Sequence, residues 1–292
     1  MNEPVKEPAN EQASTQSRHH YDGPAQRYRL VVAYDGSGFH GWQKQHPPDG
    51  EPLRTVQEVL DAALMNLLKQ PVITLGASRT DSGVHALGQV VAFDAATPIP
   101  VQRLRLAING RLPADVDVRS VDVVPASFHV LRDVESKQYR YTLWTRDARP
   151  LGIRHMVHAC GFELDLDRMN DAAARLVGTH DIEGFAAAGH GRETTVRTIH
   201  HCRVMRNASD PQRIEIEIAG DGFLLNTVRI VAGTLVEVGR GQFEPSRIDE
   251  IFATADRRLA GPTLPARGLC LEWIRYGKEA TEPRSHQATE PE

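Results

Sequence analysis

From Arg29 onward the chain alternates short apolar runs with segments whose apolar residues recur three and four positions apart. RLVVAY (29–34) is a strand-like run that stops at the turn pair Asp35-Gly36. Val56, Val59, Leu60, Ala63, Leu64, Leu67 and Leu68 then follow the helical period, and Thr55 with Glu58 forms the capping box that would open such a helix. GQVVAFD (88–94) predicts the next strand. The second half repeats this order. YRYTLW (139–144) predicts a strand; Met169, Ala172, Ala173 and Leu176 mark a helix capped by Asp165 or Asp167. IEIEI (214–218) alternates throughout and predicts a strand with one dry face and one wet face. Leu224, Val228, Val231 and Leu235 mark a further helix, Ile248, Ile251 and Phe252 another, and LCLEWIRY (269–276) a closing strand. Two successive strand–helix–strand halves, 28–135 and 136–277, predict two related subdomains with a continuous sheet and a cleft between them. Residues 1–27 and 278–292 are polar and without hydrophobic period, and read as a disordered arm and tail.

Composition changes this picture little. Hydrophobic residues make up 40% and charged residues 25% of the 292, values of a folded globular chain. No run approaches the ~18 apolar residues of a membrane span, and the first twenty residues lack the apolar core of a secretory signal. A cytoplasmic protein that makes no membrane contact is expected. Cys160, Cys202 and Cys270 are few and widely separated, which suits buried reduced thiols rather than a disulfide frame or a zinc site. The net charge of −4 lies mostly in the two polar ends, so the body is close to neutral. That argues against non-specific nucleic-acid binding and leaves room for a basic cleft.

The segment richest in chemistry is Ser78-Arg79-Thr80-Asp81-Ser82-Gly83-Val84-His85-Ala86, just ahead of a strand. Asp-Ser-Gly by itself is a turn. Arg79, two residues earlier, shifts the balance, because a nearby guanidinium favours the anionic carboxylate that a nucleophile or general base requires. His85, with Gly88 and Gln89 behind it, reads as a structural histidine entering a core strand. The pairs His155/His158 and His200/His201 lack a carboxylate or thiol at zinc spacing, so no metal site is expected.

YDGSGFHGWQKQ (34–45), TVQEVLDAAL (55–64), SRTDSGVHALGQVVAFD (78–94), KQYRY (137–141), GDGFLLNTVRIVAGTLVEVGRG (220–241) and LPARGLCLEWIRY (264–276) occur in that order. This ordered set resembles the bacterial tRNA pseudouridine synthase A family over about residues 28–277. The resemblance implies an isomerase that turns uridine into pseudouridine at positions 38, 39 and 40, in the anticodon arm of tRNA. It further implies a homodimer and no cofactor. The implied fold is α/β (α+β), with two ferredoxin-like or RRM-like halves whose mixed, largely antiparallel central sheet is flanked by helices. By motif, Asp81 matches the essential aspartate, acting as nucleophile or base. Tyr139 matches the aromatic that stacks on the target base, Arg229 the basic partner of the carboxylate, and Arg79 a supporting group. This chain departs from the family pattern at Ser78 and Ser82, where glycine and alanine are usual, and at Leu131, Thr227 and Leu264, where arginine, methionine and alanine are usual.

The resemblance bears on the remaining candidates. Phe39 and Trp42 either stack on RNA or pack their loop. Arg103, Arg105, Arg111 and Arg119 either contact phosphate or form a solvated face. Two other classes compete. A dimeric aspartic hydrolase needs two carboxylates sharing a proton, which Arg79 and Arg229 would oppose. A non-catalytic RNA-recognition module needs exposed aromatics in a strand motif that is missing here. Counted at 100° per residue, Arg229 falls at the margin of its helix's apolar stripe. It is therefore expected to meet Asp81 within ~4 Å, as an ion pair in the cleft.

Overall fold

The computed structural model describes residues 21–281 apart from 22, 46, 48, 49, 147–149, 190 and 192, so most of the expected arm and tail lies outside the described residues. Among the described residues ten strands form one sheet: β1 (Gln26–Tyr34), β2 (Leu75–Gly76), β3 (His85–Ala95), β4 (Val116–Val124), β5 (Val134–Trp144), β6 (His158–Ala159), β7 (Gly178–Asp181), β8 (Val196–Arg206), β9 (Arg213–Gly220) and β10 (Leu269–Tyr276). The main helices are α1 (Val56–Leu68), α2 (Val101–Asn109), α3 (Leu166–Arg175), α4 (Thr227–Gly239) and α5 (Arg247–Thr254). No helix among the described residues is long and apolar enough to cross a membrane.

Strand order is β4-β1-β3-β10-β5-β9-β8-β7, with β2 on β3 and β6 on β5. The C-terminal half runs β5-α3-β8-β9-α4-β10, with β7 inserted after α3, and its four long strands lie in the order β10-β5-β9-β8. That is the ferredoxin-like β-α-β-β-α-β unit. The N-terminal half follows the same path, β1-α1-β2-β3-α2-β4, but its second strand has only two residues. β2 pairs with β3 at Val91 and Ala92, leaving the edge of β3 at His85 and Ala86 to β10. The β3–β10 pairing is parallel and joins the halves; all other pairings except β5–β6 are antiparallel. The loop from β2 to β3 therefore lies at the junction of the two halves, and that loop carries Asp81.

Local signals explain most elements. Thr55 caps α1, accepting from the Glu58 N–H at 3.4 Å, and Asp165 caps α3, accepting from the N–H groups of Asp167 and Arg168. The helix expected around Leu224–Leu235 begins only at Thr227; Leu224 lies in the preceding turn and is buried. Helix α4 is buried on almost every side. A segment crosses it so closely that a Cβ on Gly233 would lie 1.9 Å from the Pro262 carbonyl oxygen, so only glycine fits there. The same crossing lets Gly261 N–H donate to Thr234 Oγ1 at 2.9 Å and carries Leu264 alongside Arg229.

One expectation is corrected. The glutamates of IEIEI do not form a wet face: Glu215 is 5% and Glu217 8% exposed. They share a sheet face with Arg140, and arginines of β5, of β8 and of β9 itself cover them. Arg203 reaches Glu217 at 2.6 Å, Arg213 reaches Glu215 at 3.4 Å, and Arg140 lies 3.2 Å from Glu272. Long aliphatic stems exclude water while their charged heads satisfy the carboxylates.

Candidate active site

The loop 77–84 is held from both sides by groups other than its own carboxylate. On one side lies the segment 34–42. Trp42 N–H donates to Thr80 O at 3.0 Å, Gly83 N–H to Phe39 O at 3.3 Å, and the Ser82 hydroxyl to Phe39 O at 3.2 Å. Backbone approaches backbone so closely that a Cβ on Gly36 would lie 2.0 Å from Val84 O. Gly41, at φ +91°, would place one 2.7 Å from Thr80 O. Tyr34 Oη and Thr80 Oγ1 share a buried hydrogen bond of 2.8 Å.

On the other side Gln89, fully buried in β3, clamps Ser78. Its Oε1 accepts from Ser78 N–H at 3.2 Å and its Nε2 donates to Ser78 O at 2.6 Å. One side chain thus replaces a strand partner where β2 has ended. His85 proves structural, as its sequence reading had it: it is 2% exposed, its Nδ1 accepts from Gly36 N–H at 3.1 Å, and its Nε2 lies 2.9 Å from His155 O. Its Nδ1 also lies 3.2 Å from Asp35 Oδ1.

Asp81 stands on this fixed loop with its side chain 36% exposed. Its Oδ2 lies 3.3 Å from Nη1 of Arg229, which is 17% exposed. The two come from opposite halves, 148 residues apart. Arg229 is held further by its own half, donating from Nε to Leu264 O at 2.7 Å and from Nη1 to Asn226 Oδ1 at 2.7 Å. A cavity of about 330 Å³ opens beside the carboxylate, lined by His40, Trp42, Gln43, Arg79 and Ser82 among others. That volume falls within the range of small-ligand pockets.

Arg79 lies exposed at the cavity wall, and no ion pair joins it to Asp81 among the described residues. Tyr139 is 7% exposed, meets Phe223 edge-on at 5.5 Å, and bonds through its hydroxyl to Ser78 Oγ at 2.8 Å. Burial pushes its phenol up to about 12. Lys137 donates to Ala77 O at 2.8 Å and to Ser78 Oγ at 3.3 Å, so the serine that stands where glycine is usual ties this loop to β5.

The structure decides the reading of the two aromatics. Phe39 and Trp42 are core residues, 2% and 1% exposed, and Trp42 packs beneath Gly76. Arg54 lies over the Phe39 ring, 3.9 Å from its centroid. Arg103, Arg105, Arg111 and Arg119 are exposed on α2, on the turn after it and on the edge strand β4; Arg119 pairs with Asp117 and Arg111 with Asn66. Among the described residues no three His, Cys, Asp or Glu side chains converge on a point. All three cysteines are free, and burial pushes Cys202 and Cys270 up to about 12, so neither supplies a thiolate at neutral pH.

Two functional-site residues went unassigned from sequence. Asn226 was hidden because the apolar period from Leu224 to Leu235 put it inside the expected helix rather than at its start. Lys137 was hidden because it served only to place Tyr139 within its motif.

Comparison with known proteins extends these observations. The model of a family described as tRNA pseudouridine synthase matches residues 30–131 and 172–277. A tRNA pseudouridine synthase A of Acetivibrio thermocellus is 39% identical over 248 residues, covering 85% of this chain and 98% of that one. Those of Brevibacillus brevis and Bacillus pumilus are 40% and 41% identical, each covering 86% of this chain and 99% of the relative. A solved structure, that of the archaeal box H/ACA sRNP Nop10-Cbf5 complex, is similar at a TM-score of 0.30 and 13% identity, over 70% of this chain and 45% of that one, and carries no argument.

Proposed function

This chain belongs to the tRNA pseudouridine synthase family, and on that premise we propose that it isomerises uridine at positions 38, 39 and 40 of the anticodon arm of tRNA, with Asp81 as its essential carboxylate. The observation that carries the reading is a carboxylate on a rigid loop, paired with a guanidinium from the other half and open to a cavity. The reaction breaks the N1–C1′ bond, turns the uracil, and joins C5 to C1′. A proton leaves C5 and a proton is taken up at N1, so atoms balance without a redox step or co-reactant. A single carboxylate suffices, either attacking the sugar or acting on it as a base. The guanidinium opposes the shared proton on which an aspartic hydrolase depends.

A target uridine in a stem must leave the stack, at a cost of a few kcal/mol. Stacking on an aromatic, ~1–3 kcal/mol per base, offsets part of this. We assign that role to Tyr139. Its ring stands at 87° to that of Phe223, with centroids 5.5 Å apart. Arg79, exposed at the cavity wall, suits a contact with the RNA backbone better than one with Asp81. On this reading the enzyme works in the cytoplasm as a homodimer and needs no cofactor.

The test is incubation with an unmodified tRNA transcript, followed by chemical labelling and mass mapping of pseudouridine. Product at 38, 39 or 40 supports the reading, and product elsewhere or none overturns it. A second test addresses Tyr139. The Phe variant loses only the bond to Ser78, worth about 1 kcal/mol, and is expected to stay within roughly tenfold of the parent rate. The Leu variant loses the ring and is expected to fall well below it. Equal loss in both would assign the role to the hydroxyl.

A further inference from the structure

Resting on the reading that Asp81 and Arg229 carry the chemistry, we propose that Asn226 is a positioning residue of this reaction, aiming Arg229 at the carboxylate. Helix α4 starts at Thr227, which makes Asn226 its cap. An Asn in that place ordinarily turns its side-chain oxygen onto a free N–H of its own helix. Asn226 makes no such bond. Its backbone sits at φ 62°, ψ 4°, a left-handed conformation that most residues avoid and that Asn tolerates better than most. The helix thus forgoes a cap and adopts an uncommon backbone, and the side chain is turned to one guanidinium.

The contact lengths give the direction of this effect. Arg229 lies three residues after Asn226, on the same side of the helix. Its Nη1 is 2.7 Å from Asn226 Oδ1, and its Nε is 2.7 Å from Leu264 O. Two short bonds on different nitrogens fix both the plane and the rotation of the group. The bond from the same Nη1 to Asp81 Oδ2 is longer, 3.3 Å. The C-terminal half therefore orients Arg229 by itself and presents it to a carboxylate of the other half. A charge held in this way keeps its direction while the carboxylate changes bonding during the reaction, which is the condition for preorganised electrostatic stabilisation. Without Asn226, Nη1 loses its nearest acceptor and the guanidinium can turn about the remaining Leu264 bond.

Asn226→Gly separates side chain from backbone, because glycine adopts the left-handed conformation freely. Asn226→Asp keeps an acceptor oxygen and tolerates the same backbone. Both are compared in the full chain with the parent and with Asp81→Asn, for melting temperature, tRNA affinity, and single-turnover rate at saturating unmodified transcript. Asn226→Gly is expected to melt within a few degrees of the parent and to bind tRNA within a few-fold. Its saturating rate should fall about 10- to 100-fold, the cost of a small misplacement at a reacting group. Asn226→Asp should recover most of that rate. The proposal is overturned if Asn226→Gly keeps the parent rate while Asp81→Asn is inactive. It is equally overturned if the loss lies in affinity alone, or if Asn226→Asp is as slow as Asn226→Gly. Activity in Asp81→Asn would instead overturn the reading of the site on which it rests.

Discussion

Asp81→Asn is expected to lower the single-turnover rate of pseudouridine formation by about 10³-fold or more, while leaving the fold and most of the tRNA affinity in place. The size follows from the chemistry: an amide neither attacks the sugar nor takes its proton, and removing a group of this kind costs on the order of 10⁴-fold in well-studied enzymes. Survival of the fold follows from the geometry. The loop is held by the backbone bonds of Thr80, Ser78 and Gly83, by the Ser82 hydroxyl and by the clamp of Gln89, none of which uses the Asp81 carboxylate. The carboxylate's bond to Arg229 is 3.3 Å long and partly exposed to solvent. Such a pair contributes ~0–1 kcal/mol, and asparagine keeps an oxygen in its place. Single-turnover kinetics with a melting curve on the same preparation measures both. Turnover above the trace expected from deamidation would show that another group carries the reaction.

Arg229→Ala should have the next largest effect, and a double one. Loss of a charge aimed at the reacting carboxylate is expected to cost about 10²–10³-fold in rate, as loss of a preorganised electrostatic donor does elsewhere. The truncation also strips the donor from Leu264 O and Asn226 Oδ1, two part-buried bonds worth about 1 kcal/mol each. Arg229→Lys should be more stable than the alanine variant yet still slow. One ammonium at the end of a flexible stem cannot serve acceptors on two different sides at once, as the guanidinium fork does. Rate at saturating tRNA and tRNA affinity are to be measured separately. If affinity falls by the full factor while the saturating rate holds, Arg229 grips the RNA rather than serving Asp81.

Elements with a local code were legible in the chain. Helix α1 has seven apolar residues at the helical period behind a Thr55 cap, and β10 is a compact apolar run; both form where expected. The short strands β2, β6 and β7 escaped, as did three longer elements. Helix α2 has nine residues with only Leu104 and Ile108 buried, and no side-chain cap. Strand β4 lies on the sheet's edge and is polar at four of its nine positions, and β8 carries a bulge between Ile199 and His201 that breaks its alternation. The IEIEI strand misled for the opposite reason, since its alternation was clear but two of the three arginines that cover its glutamates, Arg140 and Arg203, come from other strands.

At the site, the chain by itself determined which groups can act. The motif placed one carboxylate in a turn ahead of a core strand, the glycines that allow backbone to press on backbone, and a helix with an arginine at the edge of its apolar stripe. Resemblance named Arg229 as the carboxylate's partner, and the tertiary structure brings the two within 3.3 Å; local spacing by itself pointed to Arg79. Arg79 is two residues from Asp81 and makes no ion pair with it among the described residues; Arg229 is 148 residues away and does. Side-chain periodicity and capping act over a few residues, so sequence displays them directly. The meeting of Asp81 with Arg229 depends on a strand too short to fill its place, on β10 taking the vacated edge of β3, and on a glycine crossing that carries Leu264 alongside α4. Each of these is a contact between distant segments, and its geometry exists only once the two halves share one sheet.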